Sequence, residues 1–173
     1  FGAAQNTQDI ALLQGWNLIS FPLRPVSPAV DAVFGVGGAN VIAGPVWAFE
    51  DGRYVKAQFI EPNRGYWVYC PRAGGAVFTV YGARGSSSVP LVAGWNLVGP
   101  TETVDEPNAG GRDPFDKIGN AIYGYSEEAG ATYFDVNEGV GRRPLPSWHV
   151  QGKLVRGYGY WMQVAEDTTI QAE

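Results

Sequence analysis

One short stretch that is apolar on both sides gives the first structural signal in the sequence. Residues 15–23 read Gly-Trp-Asn-Leu-Ile-Ser-Phe-Pro-Leu, and residues 94–100 repeat the beginning of this stretch as Gly-Trp-Asn-Leu-Val-Gly-Pro. Successive side chains of a strand point to opposite faces, so Trp16 and Leu18 share one face and Ile19 lies on the other. The pattern therefore predicts a central strand covered on two sides, entered from a turn at the glycine.

A second signature closes each copy. Residues 64–68 read Arg-Gly-Tyr-Trp-Val, and residues 159–164 read Gly-Tyr-Trp-Met-Gln-Val. Tryptophan buries a large area, and a buried asparagine must find hydrogen-bond partners, so we expect each asparagine to tie down a neighbouring turn. The predicted structural core contains Trp16, Asn17, Trp67, Trp95, Asn96 and Trp161.

The order of predicted elements is the same in both copies. A short helix over 29–34 follows Ser27 as N-cap, and a helical turn over 115–118 follows Asp113. Asp51 and Gly52 are typical of a hairpin turn. The sequence predicts a mostly β protein with two pseudo-symmetric copies of a β-rich unit, each with one short helix, as a sandwich or a partly open barrel.

The repeat divides the chain into segments. We expect an N-terminal arm at 1–9, a first β repeat at 10–82, a joint at 83–88 and a second β repeat at 89–173. An insertion at 135–156 has no counterpart in the first repeat. The arm carries little apolar surface, so we expect it to pair with an open sheet edge, in its own domain or preferably in the next molecule.

Residues 15–23, Val46, Trp47 and residues 61–68 together resemble a repeated module of exported bacterial surface proteins. The first copy matches along most of its length. The second departs where Gly99 stands in place of Ser20 and where the insertion interrupts it. The resemblance implies an exported, non-enzymatic role and supplies no activity.

Composition narrows the range of partners. The chain of 173 residues has a net charge of −5, and its largest basic cluster is the pair Arg142 and Arg143. This excludes a basic footprint for nucleic acid. No apolar run approaches the roughly 20 residues of a membrane span. The start at Phe1 suggests either a mature exported chain or the boundary of a fragment. The only cysteine, Cys70, is predicted to be a buried thiol.

No catalytic residue is predicted. His149 is the only histidine, and it lies in a proline-rich loop without a nucleophile motif. Adjacent acidic pairs such as Glu50 and Asp51 allow a glycosidase interpretation, which requires two carboxylates facing each other across a cleft, but solvated turns are the simpler explanation. Asp135 and Asn137 have the spacing of the start of a calcium loop, so Ca²⁺ is the candidate ion; the later acidic ligand is missing, and an ordinary turn is the default.

The sequence thus favours an extracellular structural or assembly protein at the cell surface. It would be a surface module or a filament-forming subunit without catalytic activity, and its main partner would be another copy of itself. The alternative is a carbohydrate-binding module that uses exposed aromatic side chains to bind polysaccharide. The residues expected to contact a subunit or ligand are Arg142, Arg143, Trp148, Tyr158 and Phe1.

Overall fold

Antiparallel strands account for most of the chain in this computed structural model, which describes residues 6–35, 41–86, 88–101, 104–105, 118–129, 132–136 and 144–171. Within these ranges the protein is an all-β, sandwich-like structure with one α-helix, and none of the sheets closes on itself. The described residues include no helix long and apolar enough to cross a membrane.

The N-terminal half contains two antiparallel sheets. A four-stranded sheet has the order β2-β6-β4-β5, and a three-stranded sheet has the order β1-β7-β3. The elements are β1 (Asn6–Leu12), β2 (Gly15–Ser20), β3 (Leu23–Pro25), α1 (Val30–Phe34), β4 (Ala43–Glu50), β5 (Arg53–Lys56), β6 (Gly65–Cys70) and β7 (Ala76–Arg84). The predicted hairpin between β4 and β5 is confirmed: Glu50 pairs with Arg53, and Asp51 and Gly52 have φ of 51° and 77°.

The C-terminal half contains a four-stranded sheet with the order β9-β14-β11-β12 and a two-stranded sheet, β8-β15. A short pair, β10 with β13, lies beside them. The elements are β8 (Ser88–Leu91), β9 (Gly94–Val98), β10 (Val104–Asp105), β11 (Ile118–Ser126), a 3-10 helix (Glu127–Ala129), β12 (Thr132–Asp135), β13 (Lys153–Leu154), β14 (Tyr160–Val164) and β15 (Thr168–Gln171). The two four-stranded sheets therefore place their strands in the same sequential order.

Alternation along the strands builds one apolar core in each half. In β6, Tyr66, Val68 and Cys70 are buried in the N-terminal core, so the predicted buried thiol is confirmed. In β14, Tyr160 and Met162 are buried in the C-terminal core in the same way. The opposite faces of these strands carry Trp and Tyr side chains, which form a second apolar layer between the halves.

The two halves meet through reciprocal contacts. Ile19 of β2 forms a bridge with Tyr158 just before β14, and Val98 of β9 forms a bridge with Arg64 just before β6. A Cβ atom on Gly159 would lie 2.9 Å from the Leu18 side chain. A Cβ atom on Gly65 would likewise lie 2.8 Å from Leu97. Glycine is therefore needed on both sides because the partner leucine occupies the space of a side chain.

Ser20 and Gly99 meet at the centre of this contact. Ser20 is fully buried, and its Oγ donates a hydrogen bond to the carbonyl oxygen of Tyr158 at 2.7 Å. A Cβ atom on Gly99 would lie only 2.1 Å from the Ser20 Cβ atom. The Ser20 side chain fills the space between the two positions, so position 99 has no room for a side chain.

The asparagine side chains make the predicted turn contacts. Asn17 Oδ1 accepts a hydrogen bond from the Leu13 N–H at 2.9 Å, and its Nδ2 donates to the carbonyl oxygens of Leu13 and Gly15. Asn96 makes the same bonds to Val92 and Gly94. Each amide therefore closes the turn that precedes its strand, as predicted.

Three expectations about local structure need correction. Helix α1 starts at Val30, and its N-cap is Ala29 without a side-chain cap, so the Ser27 cap is wrong. Ile118 lies in a strand, and residues 115–117 of the second predicted helix lie outside the described residues. Residues 6–9, which are expected to pair preferably with a sheet edge of the next molecule, belong to β1 and pair with β7 of the same chain. Ordinary strand pairing within the chain satisfies their backbone groups.

The ends of the predicted insertion are held by contacts within the C-terminal half. The N–H of Val136 bonds to Ile122 O at 2.9 Å, as the N–H of Ala57 bonds to Val46 O at 2.8 Å. Leu154 is buried in the C-terminal core. Of the predicted insertion at 135–156, the structure describes residues 135–136 and 144–156.

Candidate functional site: two aromatic clefts

Each four-stranded sheet has an outer face, which is the face that points away from the apolar core of its own half. These outer faces carry the aromatic side chains of the candidate site. Because Tyr66, Val68 and Cys70 fill the core side of β6, Trp67 must point to the opposite face. The same alternation in β14 directs Trp161 away from the C-terminal core. These two tryptophans lie half-buried at the floors of two separate clefts.

The first cleft has a volume of about 420 Å³ and is lined by Trp16, Trp47, Tyr54, Trp67 and Tyr125. The rings of Trp16 and Trp67 meet edge to face, with centroids 6.3 Å apart and an interplanar angle of 86°. Tyr125 comes from the other half of the chain, and its ring centroid lies 4.8 Å from that of Trp67. The cleft is thus a joint product of both halves.

The second cleft has a volume of about 380 Å³ and is lined by Phe49, Trp95, Tyr123, Tyr133 and Trp161. The rings of Trp95 and Trp161 are again 6.3 Å apart at an angle of 86°. Phe49 now comes from the N-terminal half, with its centroid 4.8 Å from that of Trp161. Each position in the first cleft has an aromatic counterpart in the second.

One hairpin from each half contacts both clefts. Tyr54 of β5 lines the first cleft and also contacts Trp161 of the second at 6.1 Å. Tyr133 of β12 lines the second cleft and also contacts Trp67 of the first at 6.3 Å. Neither half could form a complete cleft by itself, because Tyr125 of the C-terminal half completes the first cleft and Phe49 of the N-terminal half completes the second.

Polar groups stand at the rim of the first cleft. Glu127 Oε1 accepts a hydrogen bond from the backbone N–H of Trp16 at 3.1 Å. Lys56 Nζ lies 5.9 Å from the ring centroid of Trp47. Burial raises the pKa of Tyr125, and the nearby Glu127 carboxylate raises this pKa further. The Tyr125 hydroxyl therefore stays protonated well above neutral pH and can donate or accept hydrogen bonds.

Two of the predicted core tryptophans are exposed. Trp16 is 40% exposed and Trp95 is 44% exposed, so the prediction that they are core residues is wrong. Trp67 and Trp161 are half-buried, and Asn96 is buried whereas Asn17 is half-buried. The physical reason is that β2 and β9 lie at the edges of their sheets rather than at the predicted central position, and Trp16 and Trp95 lie near the first residues of these strands, where the other half covers the sheet only in part.

Trp148 and Tyr158 are less exposed than Trp16 and Trp95. The sequence predicts both as residues that contact a subunit or ligand, and in the structure their rings stack on each other with centroids 3.6 Å apart and an angle of 8°. Both are half-buried against the C-terminal core. The other predicted contact residues, Arg142, Arg143 and Phe1, lie outside the described residues.

Residues considered for catalysis and metal binding are spread over the structure. The His149 ring lies against Phe134, with centroids 4.9 Å apart. Asp135 ends β12, and Asn137, its predicted partner in a calcium loop, lies outside the described residues. Among the described residues, no group of three His, Cys, Asp or Glu side chains is arranged to hold a metal ion. The absence of a catalytic residue stays a prediction.

The sequence did contain a signal for the clefts. Trp47 and Phe49 alternate with buried residues on β4, and Tyr123 and Tyr125 do the same on β11. This period-two aromatic pattern identifies an outer face, but it does not tell whether solvent or another sheet covers that face.

Comparisons of the chain with protein-family models, curated proteins and solved structures find no match.

Proposed function

We propose that this protein is a non-catalytic carbohydrate-binding module whose two aromatic clefts bind sugar rings of a polysaccharide. The observation that carries the proposal is the pair of exposed tryptophans, Trp16 and Trp95, each standing beside a wall of further aromatic rings. Pyranose rings present apolar C–H faces, and flat aromatic rings provide matching apolar surfaces with polar edges.

The dimensions and charge of the site support a sugar over other ligands. Both clefts fall within the range of about 300–1,000 Å³ that is usual for small-ligand sites. The net charge of −5 disfavours a phosphate backbone, although aromatic platforms alone would also suit single-stranded nucleic acid. The hydroxyl of Tyr125 and the Glu127 carboxylate can make hydrogen bonds with sugar hydroxyl groups beside the rings.

Two copies of one unit underlie this bivalent arrangement in our proposal. Its support is the recurrence of the same sheet order, of the same asparagine hydrogen bonds and of equivalent contacts between Leu18 and Gly159 and between Leu97 and Gly65. Two equivalent sites on one rigid unit would bind a repetitive polymer with greater avidity than either site alone. A polymer outside the cell fits the resemblance to exported bacterial surface modules, so an extracellular location is part of the proposal.

The experiment is affinity electrophoresis and pull-down with β-1,4-glucan, chitin, β-1,4-mannan and β-1,3-glucan. The variants are Trp16→Ala, Trp95→Ala and the double variant, with Phe59→Ala as an exposed aromatic control outside both clefts. We expect retarded migration in at least one polysaccharide, a weaker effect in each single variant and loss in the folded double variant. No binding to any of the four, or binding that survives in the double variant, would refute the proposal.

Self-assembly is a second candidate, and one observation favours it. Val26, Val77 and Tyr81 are exposed together around β7, and the Val26 N–H donates a hydrogen bond to the Tyr81 carbonyl oxygen. Clustered exposed apolar side chains are typical of contact surfaces. Sedimentation velocity across a range of concentrations tests this candidate: a concentration-dependent oligomer that Tyr81→Lys dissociates would support it, and a monomer at all concentrations would contradict it.

A further inference from the structure

A groove adjoins each cleft on the far side of its exposed tryptophan, and the two grooves differ greatly in size. The groove beside Trp16 has a volume of about 190 Å³ and is bordered by Asn17 and Leu18 of β2. The groove beside Trp95 has a volume of about 950 Å³ and is bordered by Asn96 and Leu97, the equivalent residues of β9. Equivalent residues therefore border both grooves next to the tryptophan, but the grooves differ in volume beyond it.

The insertion is the physical cause of this difference. Tyr158, which precedes β14, lines the small groove, where its ring is stacked on Trp148 of the insertion. The insertion is also tied to the rim, because the Ser147 N–H donates a hydrogen bond to Glu128 Oε2 at 3.0 Å. The position before β6 that corresponds to Tyr158 is Arg64, and no aromatic stack covers the described part of the large groove. The rings of Trp148 and Tyr158 thus fill space beside Trp16, whereas the corresponding space beside Trp95 is open.

The large groove has the side chains of a site for sugar hydroxyl groups. Glu50 and Glu61 both form ion pairs with Arg64, with 2.9 Å between Arg64 Nε and Glu61 Oε2, and all three are about half exposed. Asp51 also lines the groove. Carboxylate and guanidinium groups are planar and can each make two parallel hydrogen bonds, which matches a pair of neighbouring hydroxyl groups on a sugar ring.

The electrostatics of this groove favour a neutral chain. Glu50, Asp51 and Glu61 contribute three carboxylates against the two guanidinium groups of Arg24 and Arg64. A polysaccharide with carboxylate or sulfate groups would therefore meet like charge at close range, which disfavours binding. A neutral sugar with equatorial hydroxyl groups keeps C–H groups on both faces of the ring for stacking on Trp95.

We propose that the groove beside Trp95 extends the second cleft into a site for several consecutive sugars of a neutral β-1,4-linked glucose chain, whereas the first cleft, which adjoins only the small groove beside Trp16, holds a short sugar unit. The second cleft and the large groove share Phe49 and Trp95 among their lining residues, so they adjoin each other. A groove of about 950 Å³ reaches the upper end of the usual range for ligand sites, and one of about 190 Å³ falls below it. This inference rests on the proposed function.

Chain-length dependence separates the two sites. Isothermal titration calorimetry with cellobiose and cellohexaose would use Trp16→Ala to isolate the Trp95 site and Trp95→Ala to isolate the Trp16 site. In Trp16→Ala we expect cellohexaose to bind at least about tenfold more tightly than cellobiose, because added hydrogen bonds to charged groups contribute strongly. In Trp95→Ala we expect a difference of less than about twofold.

Substitutions in the grooves then test which residues cause the tighter binding of cellohexaose. Glu61→Gln should weaken cellohexaose binding by roughly tenfold, and should weaken it much more than cellobiose binding. In the Trp95→Ala background, Trp148→Ala should open the small groove and restore a preference for the longer chain. The glucuronic acid hexamer, which differs from cellohexaose only at C6, should bind more weakly than cellohexaose.

The results distinguish failure of this inference from failure of the proposed function. Equal chain-length dependence in Trp16→Ala and Trp95→Ala, with binding retained, would overturn the extended groove and leave the carbohydrate-binding proposal intact. Failure of cellohexaose to bind, with chitin or mannan retained by the clefts, would overturn the glucose specificity proposed here. Absence of binding to all four polysaccharides would overturn the proposed function itself.

Discussion

The contact between Ser20 and Gly99 makes a sharp prediction about how the two halves fit together. Replacing Gly99 by alanine would place the new Cβ atom 2.1 Å from the Ser20 Cβ atom and 2.5 Å from the Tyr158 carbonyl oxygen. Real Cβ contacts lie beyond about 3.0 Å, so the halves must separate locally or the backbone must shift. Overpacking of this kind costs about 1–3 kcal/mol and occasionally more, and we expect about 3 kcal/mol because backbone groups are involved.

A double-mutant cycle isolates the serine contact. Ser20→Gly alone loses the buried hydrogen bond to Tyr158 O and adds backbone freedom, for a cost of about 2 kcal/mol. Gly99→Ala in the Ser20→Gly background should cost less than in the wild type, by about 1–2 kcal/mol, because the space of the serine side chain is then vacant. The contact with Tyr158 O persists, so some cost should remain.

The assay is urea unfolding followed by tryptophan fluorescence, with the midpoint and slope fitted for all four proteins. An equal cost of Gly99→Ala in both backgrounds would refute the steric argument, as would a cost below about 0.5 kcal/mol in the wild type. A changed slope would mean that the halves no longer unfold together, in which case the midpoints of the separate transitions are compared.

Three further predictions concern stability. Asn17→Ala and Asn96→Ala should each lower the free energy of unfolding by about 2–3 kcal/mol in urea unfolding, the latter more because Asn96 is buried; losses below about 0.5 kcal/mol would contradict the role of their turn hydrogen bonds. Burial raises the pKa of Tyr66 to about 12, so the unfolded chain releases this proton at lower pH than the folded chain, and Tyr66 should lower the free energy of unfolding by about 2–3 kcal/mol between pH 10 and pH 12. Burial also raises the pKa of Tyr160, so the contribution of Tyr66 is measured as the difference between the wild type and Tyr66→Phe, and an equal decline in both would contradict it. Trp67→Ala should cost about 3–4 kcal/mol and Trp16→Ala about half as much, since Trp16 is 40% exposed; equal losses measured by thermal unfolding would show that the outer face is better covered than the structure indicates.

Local pattern was sufficient for much of the fold. The alternation of apolar residues determined the strands around Ile19 and Val68, and the Asp51–Gly52 pair determined a hairpin, because these features depend on neighbours a few residues away. The hydrogen-bonding demand of Asn17 led directly to its turn contact. The helix boundaries were less predictable, since a five-residue helix has too few hydrogen bonds to be fixed by local preference.

Only the tertiary structure decided which apolar face is core and which is open. Period-two alternation shows that Trp16 and Leu18 share a face, yet Leu18 is buried by Gly159 of the other half whereas Trp16 stands at the edge of a cleft. Sequence likewise could not show that Trp148 fills a groove whose counterpart beside Trp95 is open. The physical reason is that exposure of an outer strand face depends on how far the opposing half extends over it, and that extent arises from contacts between residues far apart in the chain.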